Sequence, residues 1–497
     1  MKTISFQYLN QAGVLHVFGP EAQSVTGLAY HSKLVTEGGV FFSIRGENND
    51  GHLYIDEALQ NGAAAVIGDS HSHLKKLSTS YPDCSFVVVK DVRQAMALLA
   101  KFYYNHVSEE IKLIGVTGTN GKTTVSSYVQ SLLNLLGTPT GLIGTTGIYN
   151  SRQKIPYNKS TPTTPEAVDL HHIFSKLRSH GDAAASMEVS SIALDQKRVE
   201  GIKFDVAIHT NFSEEHLEYH HTLEHYKACK LKLFKQATCA VINLDDDGMG
   251  KDIPDLFDGP VIRYSLQQYS DADLTAGELV TSEEGSHFTL TYLGEKYRVY
   301  VPVYGTYNIS NVLSSIGTAL LLGYPISEIL SALERLQSPE GRFQVIKAPD
   351  QTKVILDYAH TPVALTRLIE EVKKLSYDRL IVMIAGIGIR DFKKMPKMAS
   401  IIEGKADEII VTVDHPGFHE PQLIVDQVMS GFTNPESPNI HAALTREEGV
   451  RKALRLGQPN DIILLTSGCI NNAQIIKGKE IPHSDEDIIK KHFLQSS

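Results

Sequence analysis

The sequence predicts an α/β fold in three domains. These are a small N-terminal α/β domain, a central domain with a mostly parallel sheet and a phosphate-binding loop, and a C-terminal Rossmann-like α/β domain. Three observations carry this expectation. The chain has 497 residues, too many for one ordinary domain. Short apolar runs alternate with helical patterns along most of it, as a mostly parallel sheet requires. The segment 115–124, GVTGTNGKTT, lies between an apolar run and an amphipathic stretch, which is the setting of a phosphate-binding turn.

The first expected domain is residues 1–108. Apolar runs at 40–44, 63–67 and 85–89 read as short buried strands with helical patterns between them. RGENNDGH, residues 45–52, follows the first run and reads on its own as a solvated turn. The second domain is residues 109–338. An apolar run at 113–116 leads into the glycine-rich turn. Val125, Tyr128, Val129, Leu132 and Leu136 then share one helix face until Gly137 stops the helix. Residues 183–189 read as a strand leading to Glu188, Ser190 and Ser191. A strand at 206–210 precedes NFSEEHLEYHHTLEHYKACKLKLF, and one at 299–303 precedes the helix in GTYNISNVLSSIGTALLLG. The third domain, residues 339–497, has strands at 354–356, 380–384, 408–413 and 461–466, followed by DYAHTP, AGIGIRD, DHPGFHEP and SGCINNAQ. No internal repeat or low-complexity segment interrupts this order. Ligands of such sheets gather outside the carboxyl ends of the strands. The glycine-rich turn, Glu188 and residues 211–216 can therefore converge although they lie far apart in sequence.

Composition narrows the function. Hydrophobic residues make up 42% of the chain, enough for real cores, and the formal net charge is −10. That balance argues against a nucleic-acid binder held by phosphate contacts. Cys84, Cys229, Cys239 and Cys469 are scattered without a C-x-x-C pair, which suits a reducing cytoplasm. The N-terminus is polar where a signal peptide is apolar, and no apolar run approaches a membrane span. The expectation is a cytoplasmic protein with no membrane partner.

Several residues could carry chemistry. Gly118, Thr119, Asn120, Gly121, Lys122, Thr123 and Thr124 form the strand-to-helix turn. Its backbone amides and the helix N-terminus attract an anion, Lys122 can reach phosphate oxygens and Thr123 can hold Mg²⁺. Val116 stands where the stricter phosphate-loop pattern has its first glycine. The plainer alternative is a glycine turn before a surface helix. Thr123, Glu188 and His216 offer a hydroxyl, a carboxylate and an imidazole for Mg²⁺, against a surface acid and a loop histidine. His216, His220, His221 and His225 invite a zinc reading. They lack H-E-x-x-H and a cysteine at a usual spacing, so a solvated histidine-bearing helix is the expectation. Lys230, beside Lys227 and Lys232, reads on composition as solvated. Arg342 and Asp357 stand where a phosphate and a ribose could be met.

Taken in order, GTNGKTT, MEVSS with QKRV, TNFSEEHLEYH, YKACKLKLF, EGRFQ and LDYAHTP resemble the Mur ligase superfamily, most closely its MurE type. The resemblance spans nearly the whole chain. HSKLVTEGGVFFSIRGENNDGH resembles that family's uridine-binding motif, with His31 and Lys33 replacing an acid and an arginine and Ser32 retained. The resemblance implies an ATP- and Mg²⁺-dependent ligase that joins an amino acid to UDP-N-acetylmuramoyl-L-alanyl-D-glutamate, working in the cytoplasm as a monomer. It implies that Ser32 contacts the uridine nucleotide, and that Thr163, Thr164, Ser190, Gln196 and Arg198 line the muramoyl-peptide path. Asn308 and Asn311 would approach adenine, Arg342 the phosphates and Asp357 the ribose. Thr123, Glu188 and His216 would serve Mg²⁺. Lys230 matches the lysine that the family carbamylates to N6-carboxylysine, able to hold a second Mg²⁺. The implied chemistry is attack of the acceptor carboxylate on the γ-phosphate, then displacement of phosphate from the acyl phosphate by an amine.

The C-terminal domain departs from that pattern. Where the diaminopimelate-adding members usually show DNPR, this chain has Asp414, His415, Pro416 and Gly417. Where GKGHE is usual it has Ser467 to Asn471, so an amide, Asn471, replaces an acid. Arg390 and Asp391 survive in AGIGIRDFKKMP. Arg390, Asp414, His415 and Asn471 are the implied amino-acid pocket. The sequence thus leaves three readings: a MurE-type ligase with an unusual amino acid, a paralogous amide ligase with another acceptor or amine, and a nucleotide-binding regulator without catalysis.

Overall fold

Long β-branched runs with no polar face can only be strands covered on both sides, and such runs recur throughout the chain. The computed structural model describes residues 2–46, 49–158, 160–267, 269–282, 284–389, 392–467 and 473–495. The chain divides into two compact units, residues 1–122 with 137–263 and residues 123–136 with 264–497.

The first unit holds two sheets of functional interest. A five-stranded sheet runs in the order Val14–Phe18, Ser85–Val89, Ala63–Gly68, Gly39–Phe42, Leu28–Ala29. It is parallel except at the Val14–Phe18 edge. Every residue of Ser85–Val89 and of Gly39–Phe42 is buried, so the sheet needs cover on both faces, and two apolar clusters provide it. One includes the Val92–Tyr103 helix, whose Asp91 cap accepts from the Gln94 amide at 2.9 Å.

The second sheet carries parallel strands in the order Thr140–Gly144, Ala184–Glu188, Lys112–Thr117, Phe204–His209, Ala237–Asn243. Strand register sets where the functional segments emerge. Glu188 lies opposite Val116, and His209 opposite Thr117, so three central strands end level with one another. The segments that leave these ends share one edge of the sheet.

In the second unit, Leu274–Thr281, Ser286–Tyr292 and Glu295–Val301 form an antiparallel meander. A six-stranded sheet comes next: Gln344–Lys347, Lys353–Leu356, Ile462–Leu465, Leu380–Ile387, Glu408–Asp414, Ile440–Ala442. It is parallel apart from its first strand, and separate apolar clusters cover it. This is the doubly wound arrangement expected of the last domain. An antiparallel hairpin, Ala473–Ile476 with Lys479–Pro482, lies beyond the last core strand.

The strands expected from apolar runs are found within a few residues of their places. Of the meander, the apolar pattern shows only 299–303, because its strands alternate. Leu274–Thr281 buries only alternate residues at one end and leaves the rest half-buried or exposed. The helix after the glycine-rich turn spans Lys122–Leu135, and Gly137 leaves it with φ +85°.

Candidate active site

The strand Lys112–Thr117 delivers the chain into a turn that only glycine permits. Gly118 has φ +148°, and a Cβ there would fall 1.9 Å from Thr210 Oγ1. Asn211, which leaves the neighbouring strand, braces the turn. Its carbonyl accepts from the Thr119 amide at 2.8 Å and its Oδ1 from the Asn120 amide at 2.9 Å. The Lys122 ammonium folds back and donates to the Gly118 and Thr119 carbonyls, both at 2.9 Å.

Glu188 is the last residue of its strand and is buried. Its Oε1 accepts from the Thr145 amide at 2.7 Å. Gly144 must be glycine for this to happen, since a Cβ there would stand 2.4 Å from that oxygen. His216 caps the short Leu217–His220 helix in the left-handed region, φ +57°. Its pKa is lowered, first by burial; Glu218 works against this and the Lys122 ammonium adds to it. Lys122 and His216 therefore feel one another, and Lys122, Glu188 and His216 occupy one sheet edge.

Lys230 corrects the sequence reading. It is 1% exposed rather than solvated, and Nζ donates to the Gly118 carbonyl at 2.7 Å. The Tyr226 ring lies 4.5 Å from Nζ. Burial holds its pKa well below the usual lysine range, and Lys122 adds to the shift. Of the neighbouring histidines, His221 and His225 are exposed, as a solvated helix requires, whereas His220 is buried, and His225 Nε2 lies 3.6 Å from the buried Cys229 Sγ.

The loop at 45–52 is also more than a solvated turn. Gly46, Asn49 and Gly51 line a cavity of about 380 Å³ together with Ser32, Lys33, Glu57, Arg93 and Glu166. Ser32 is buried and its hydroxyl donates to Glu57. From this cavity a polar chain leads toward Glu188. Glu166 pairs with Arg93 at 3.5 Å and with Arg198 at 3.1 Å. Arg198 donates to the Thr164 carbonyl at 2.9 Å and to Gln196 Oε1 at 2.7 Å. Thr164 Oγ1 donates to the Glu188 carbonyl at 3.0 Å and accepts from the Ser190 amide at 3.1 Å. Thr163 Oγ1 lies 3.3 Å from Thr145 Oγ1. The five residues expected on the peptide path are thus contiguous. Sequence reasoning missed Glu166 and Arg93, although TPTTPE displays the former in plain view.

In the second unit, Arg342 Nη2 donates to Thr123 Oγ1 at 3.3 Å, and its guanidinium lies 4.9 Å from the Tyr358 ring centroid. Thr124 is buried in the same helix. Asp357 accepts from the Phe343 and Ala359 amides, each at 2.8 Å, and burial raises its pKa while Arg342 opposes the rise. Asn308 and Asn311 are buried one turn apart, with Asn311 Nδ2 donating to Asn308 Oδ1 at 3.2 Å.

Of the four residues expected to receive the amino acid, Asp414 and His415 are described. Asp414 is buried, and its Oδ1 accepts from Gln474 Nε2 at 2.7 Å. His415, at φ +42°, accepts the Ile475 amide on Nδ1 at 3.0 Å. Both hold the 473–482 hairpin. Arg390 and Asn471 lie outside the described residues. Sequence reasoning missed Arg446 altogether. It is fully buried, ion-paired to Asp485, and donates to the Thr466 and Ser467 carbonyls at the end of the core strand. Its sequence setting, REEGVRK, looks like a solvated helix face.

The donors fit the groups that the sequence implies. The glycine cradle at Gly118 leaves backbone where a phosphate needs it. A buried carboxylate and an imidazole on one edge suit a divalent cation.

Three family models match the chain. "Mur ligase family, catalytic domain" covers residues 24–104, "Mur ligase middle domain" 116–319, and "Mur ligase, glutamate ligase domain" 341–469. A relative in Clostridium acetobutylicum, named UDP-N-acetylmuramoyl-L-alanyl-D-glutamate--2,6-diaminopimelate ligase 2, is 35% identical over 468 residues, covering 94% of this chain and 95% of its own. A ligase of the same name, without the final numeral, in Pseudomonas putida is 36% identical over 471 residues, covering 92% of each chain. A solved structure of a UDP-N-acetylmuramoyl-L-alanyl-D-glutamate--2,6-diaminopimelate ligase superposes with a TM-score of 0.70 at 26% identity, over 100% of this chain and 99% of that one. The MurF ligase of Thermotoga maritima, solved with ADP, shares the fold at a TM-score of 0.64 and 18% identity, over 95% and 99%.

Proposed function

The chain belongs to the Mur ligase family, and from that premise we propose that it is an ADP-forming amide ligase of the MurE type. It uses ATP to join an amino acid to UDP-N-acetylmuramoyl-L-alanyl-D-glutamate in peptidoglycan precursor synthesis. The observation that carries this reading is the shared sheet edge. Glu188 ends a strand level with the one that enters the glycine turn, His216 feels the charge of Lys122, and Lys122 and Lys230 both donate to the Gly118 carbonyl.

Each part of the chain has a place in the reaction. Residues 1–108 take the UDP end of the acceptor, with Ser32 in the cavity. Residues 109–338 hold ATP, and residues 339–497 the amino acid; each span contains one of the three family matches. The 118–122 turn and Lys122 grip the phosphates, and Thr123, Thr124 and Arg342 extend that grip. Asn308 and Asn311 take adenine and Asp357 the ribose. Thr163, Thr164, Ser190, Gln196 and Arg198 orient the peptide so that its carboxylate meets the γ-phosphate in line. Glu188 and His216 would hold Mg²⁺, with Lys230 as N6-carboxylysine and Thr123 as further donors; bound there, the cation neutralises charge on the phosphoryl group. Exclusion of water then preserves the acyl phosphate until an amine attacks. Arg390, Asp414, His415 and Asn471 would receive that amine.

The reading includes a monomer in the cytoplasm without nucleic-acid or membrane partners. Among the described residues, no helix is long and apolar enough to cross a membrane. A phosphate-release assay with ATP, Mg²⁺ and the UDP-muramoyl dipeptide, screened across single amino acids, tests the proposal. Release that needs both the dipeptide and one amino acid is expected. Turnover only with unrelated carboxylates, or ATP binding without turnover under any pairing, would overturn it.

A further inference from the structure

Beside the nucleotide edge lies a cluster of ligand atoms that the ligase chemistry does not use. We propose that Cys229, His225 and Asp195, with His220 beside them, form a binding site for a soft divalent cation, with Zn²⁺ the best fit. His225 and Cys229 stand one turn apart on the Leu223–Leu231 helix, so they face the same way. His220 ends the Leu217–His220 helix, and Asp195 ends the Ser191–Asp195 helix. Three elements therefore deliver their side chains to one point.

The distances are those of a coordination shell. Cys229 Sγ is 3.6 Å from His225 Nε2 and 3.4 Å from Asp195 Oδ1, and His225 Nε2 is 3.5 Å from Asp195 Oδ1. A tetrahedral ion with bonds of about 2.0–2.3 Å separates its ligands by roughly 3.3–3.8 Å. All three edges fall in that interval. Ligand atoms of His220, His225 and Cys229 lie within 4.8 Å of one another, so His220 stands beside this three-ligand face. Its Nδ1 is 3.3 Å from His225 Nδ1, the ring nitrogen opposite the one that meets Cys229 and Asp195, which leaves the fourth position for water or for His220 after its side chain turns.

The outer contacts suit a metal as well. Ser191 Oγ lies 2.9 Å from His220 Nε2, which leaves Nδ1 turned to the cluster. Tyr219 donates to Asp195 Oδ2 at 3.1 Å and leaves Oδ1 facing the thiol. Such partners fix the orientation of metal ligands. A thiol–imidazole–carboxylate relay is the competing arrangement, but it needs the acid on the nitrogen away from the sulfur. Here Asp195 and Cys229 both face Nε2. Lys232 Nζ also reaches Asp195 Oδ1, at 3.4 Å; its side chain is 45% exposed, so a cation can displace it into solvent. The thiolate and imidazoles select against Mg²⁺, which keeps this site distinct from the nucleotide metal. Cys229 adjoins Lys230, so an ion here fixes the helix that presents Lys230 to Gly118.

The test uses the full-length protein, freed of metal with a chelator and titrated with Co²⁺ and then Zn²⁺ without nucleotide. The expected result is a thiolate-to-cobalt charge-transfer band with strong tetrahedral absorption, saturating at one equivalent and abolished by Zn²⁺. Cys229→Ala should lose the band, while Cys239→Ala keeps it. His225→Ala, at a 48% exposed side chain, should fold normally and bind Zn²⁺ at least tenfold more weakly. No band in the wild-type protein, a band that survives Cys229→Ala, or unchanged Zn²⁺ affinity in His225→Ala would overturn the site. Thermal melting in chelator reports whether each variant folds. Should Cys229→Ala fail to fold, His225→Ala decides alone.

Discussion

Replacing Lys230 with methionine tests whether a buried lysine serves the reaction or the fold. Its Nζ is shielded from water, and it meets one carbonyl at 2.7 Å and the Tyr226 ring. Lys122 donates to the same Gly118 carbonyl at 2.9 Å. The two ammonium nitrogens are therefore at most about 6 Å apart, where two full charges repel by roughly 3 kcal/mol at an effective dielectric of about 20. Desolvation of a buried cation costs several kcal/mol more. The hydrogen bond returns only about 1.5–3 kcal/mol even if charged. Burial, and then the Lys122 charge, both work against a plain ammonium at Lys230. Methionine keeps most of the apolar stem and removes the nitrogen. Stability in urea should stay within about 1 kcal/mol of wild type. Phosphate release should fall by about 10²–10³, the scale for removing one electrostatic stabiliser from an active site. Wild-type protein depleted of CO₂ should regain turnover on addition of bicarbonate, and Lys230→Met should not. Full turnover in Lys230→Met, or a loss of several kcal/mol in stability with turnover intact, would refute the reasoning.

Other perturbations probe separate parts of the molecule. Lys122→Ala should leave the far-ultraviolet spectrum unchanged and cut phosphate release at least about 10²-fold, since it removes a charge from the phosphoryl site. Gly118→Ala meets Thr210 Oγ1 at 1.9 Å and a φ of +148°; we expect about 1–3 kcal/mol of destabilisation in urea and loss of ATP binding by calorimetry. Arg446→Met leaves the Asp485 carboxylate buried beside His483 without its arginine, and should cost about 3 kcal/mol in chemical denaturation. Burial works to raise the Asp485 pKa, yet Arg446 and His483 hold it below the usual range. Its stabilisation is therefore complete above the unfolded value of about 4 and is lost as pH falls through the folded value; acid unfolding of Asp485→Asn should be correspondingly flatter. In an amino-acid screen, meso-diaminopimelate should not be the best amine, and finding it best would remove the argument from the altered pocket.

The parts of the site legible in the sequence are those in which local chemistry coincides with position. A glycine turn between a strand and an amphipathic helix is legible because glycine, lysine and threonine occur together there for backbone reasons. Glu188 is legible because a lone acid ends an apolar strand. Lys230 is not, since HYKACKLKLF places three lysines within six residues and only packing shows that one of them is buried. Arg446 hides for the same reason: a charged helix beginning REEG reads as solvated, and the partner that buries it lies 39 positions further along the chain. The Cys229 cluster is set aside in the sequence because Cys229 follows the histidines at no usual metal spacing, and Asp195 joins it from a separate short helix. The antiparallel meander is hidden on other grounds: its half-exposed strands alternate and carry polar residues.

At the expected amino-acid pocket, the backbone as well as the side chains bears on what residue 417 can be. The arginine that the related motif usually carries would fall at Gly417. Here that residue has φ +62°, and a Cβ would stand 2.9 Å from Ile389 Cγ2. The Gly417 amide donates to the Ile475 carbonyl at 3.0 Å, and its carbonyl accepts from the Lys477 amide at 2.6 Å. The turn is thus stitched to the 473–482 hairpin on both sides, with Asp414 and His415 holding the same hairpin through Gln474 and Ile475. An arginine restored at 417 would face left-handed backbone strain and crowd Ile389 before it met any carboxylate. Gly417→Arg alone should therefore lower stability without conferring preference for meso-diaminopimelate. A gain of that preference in the single variant would show that the arginine, and not the turn, sets the amine.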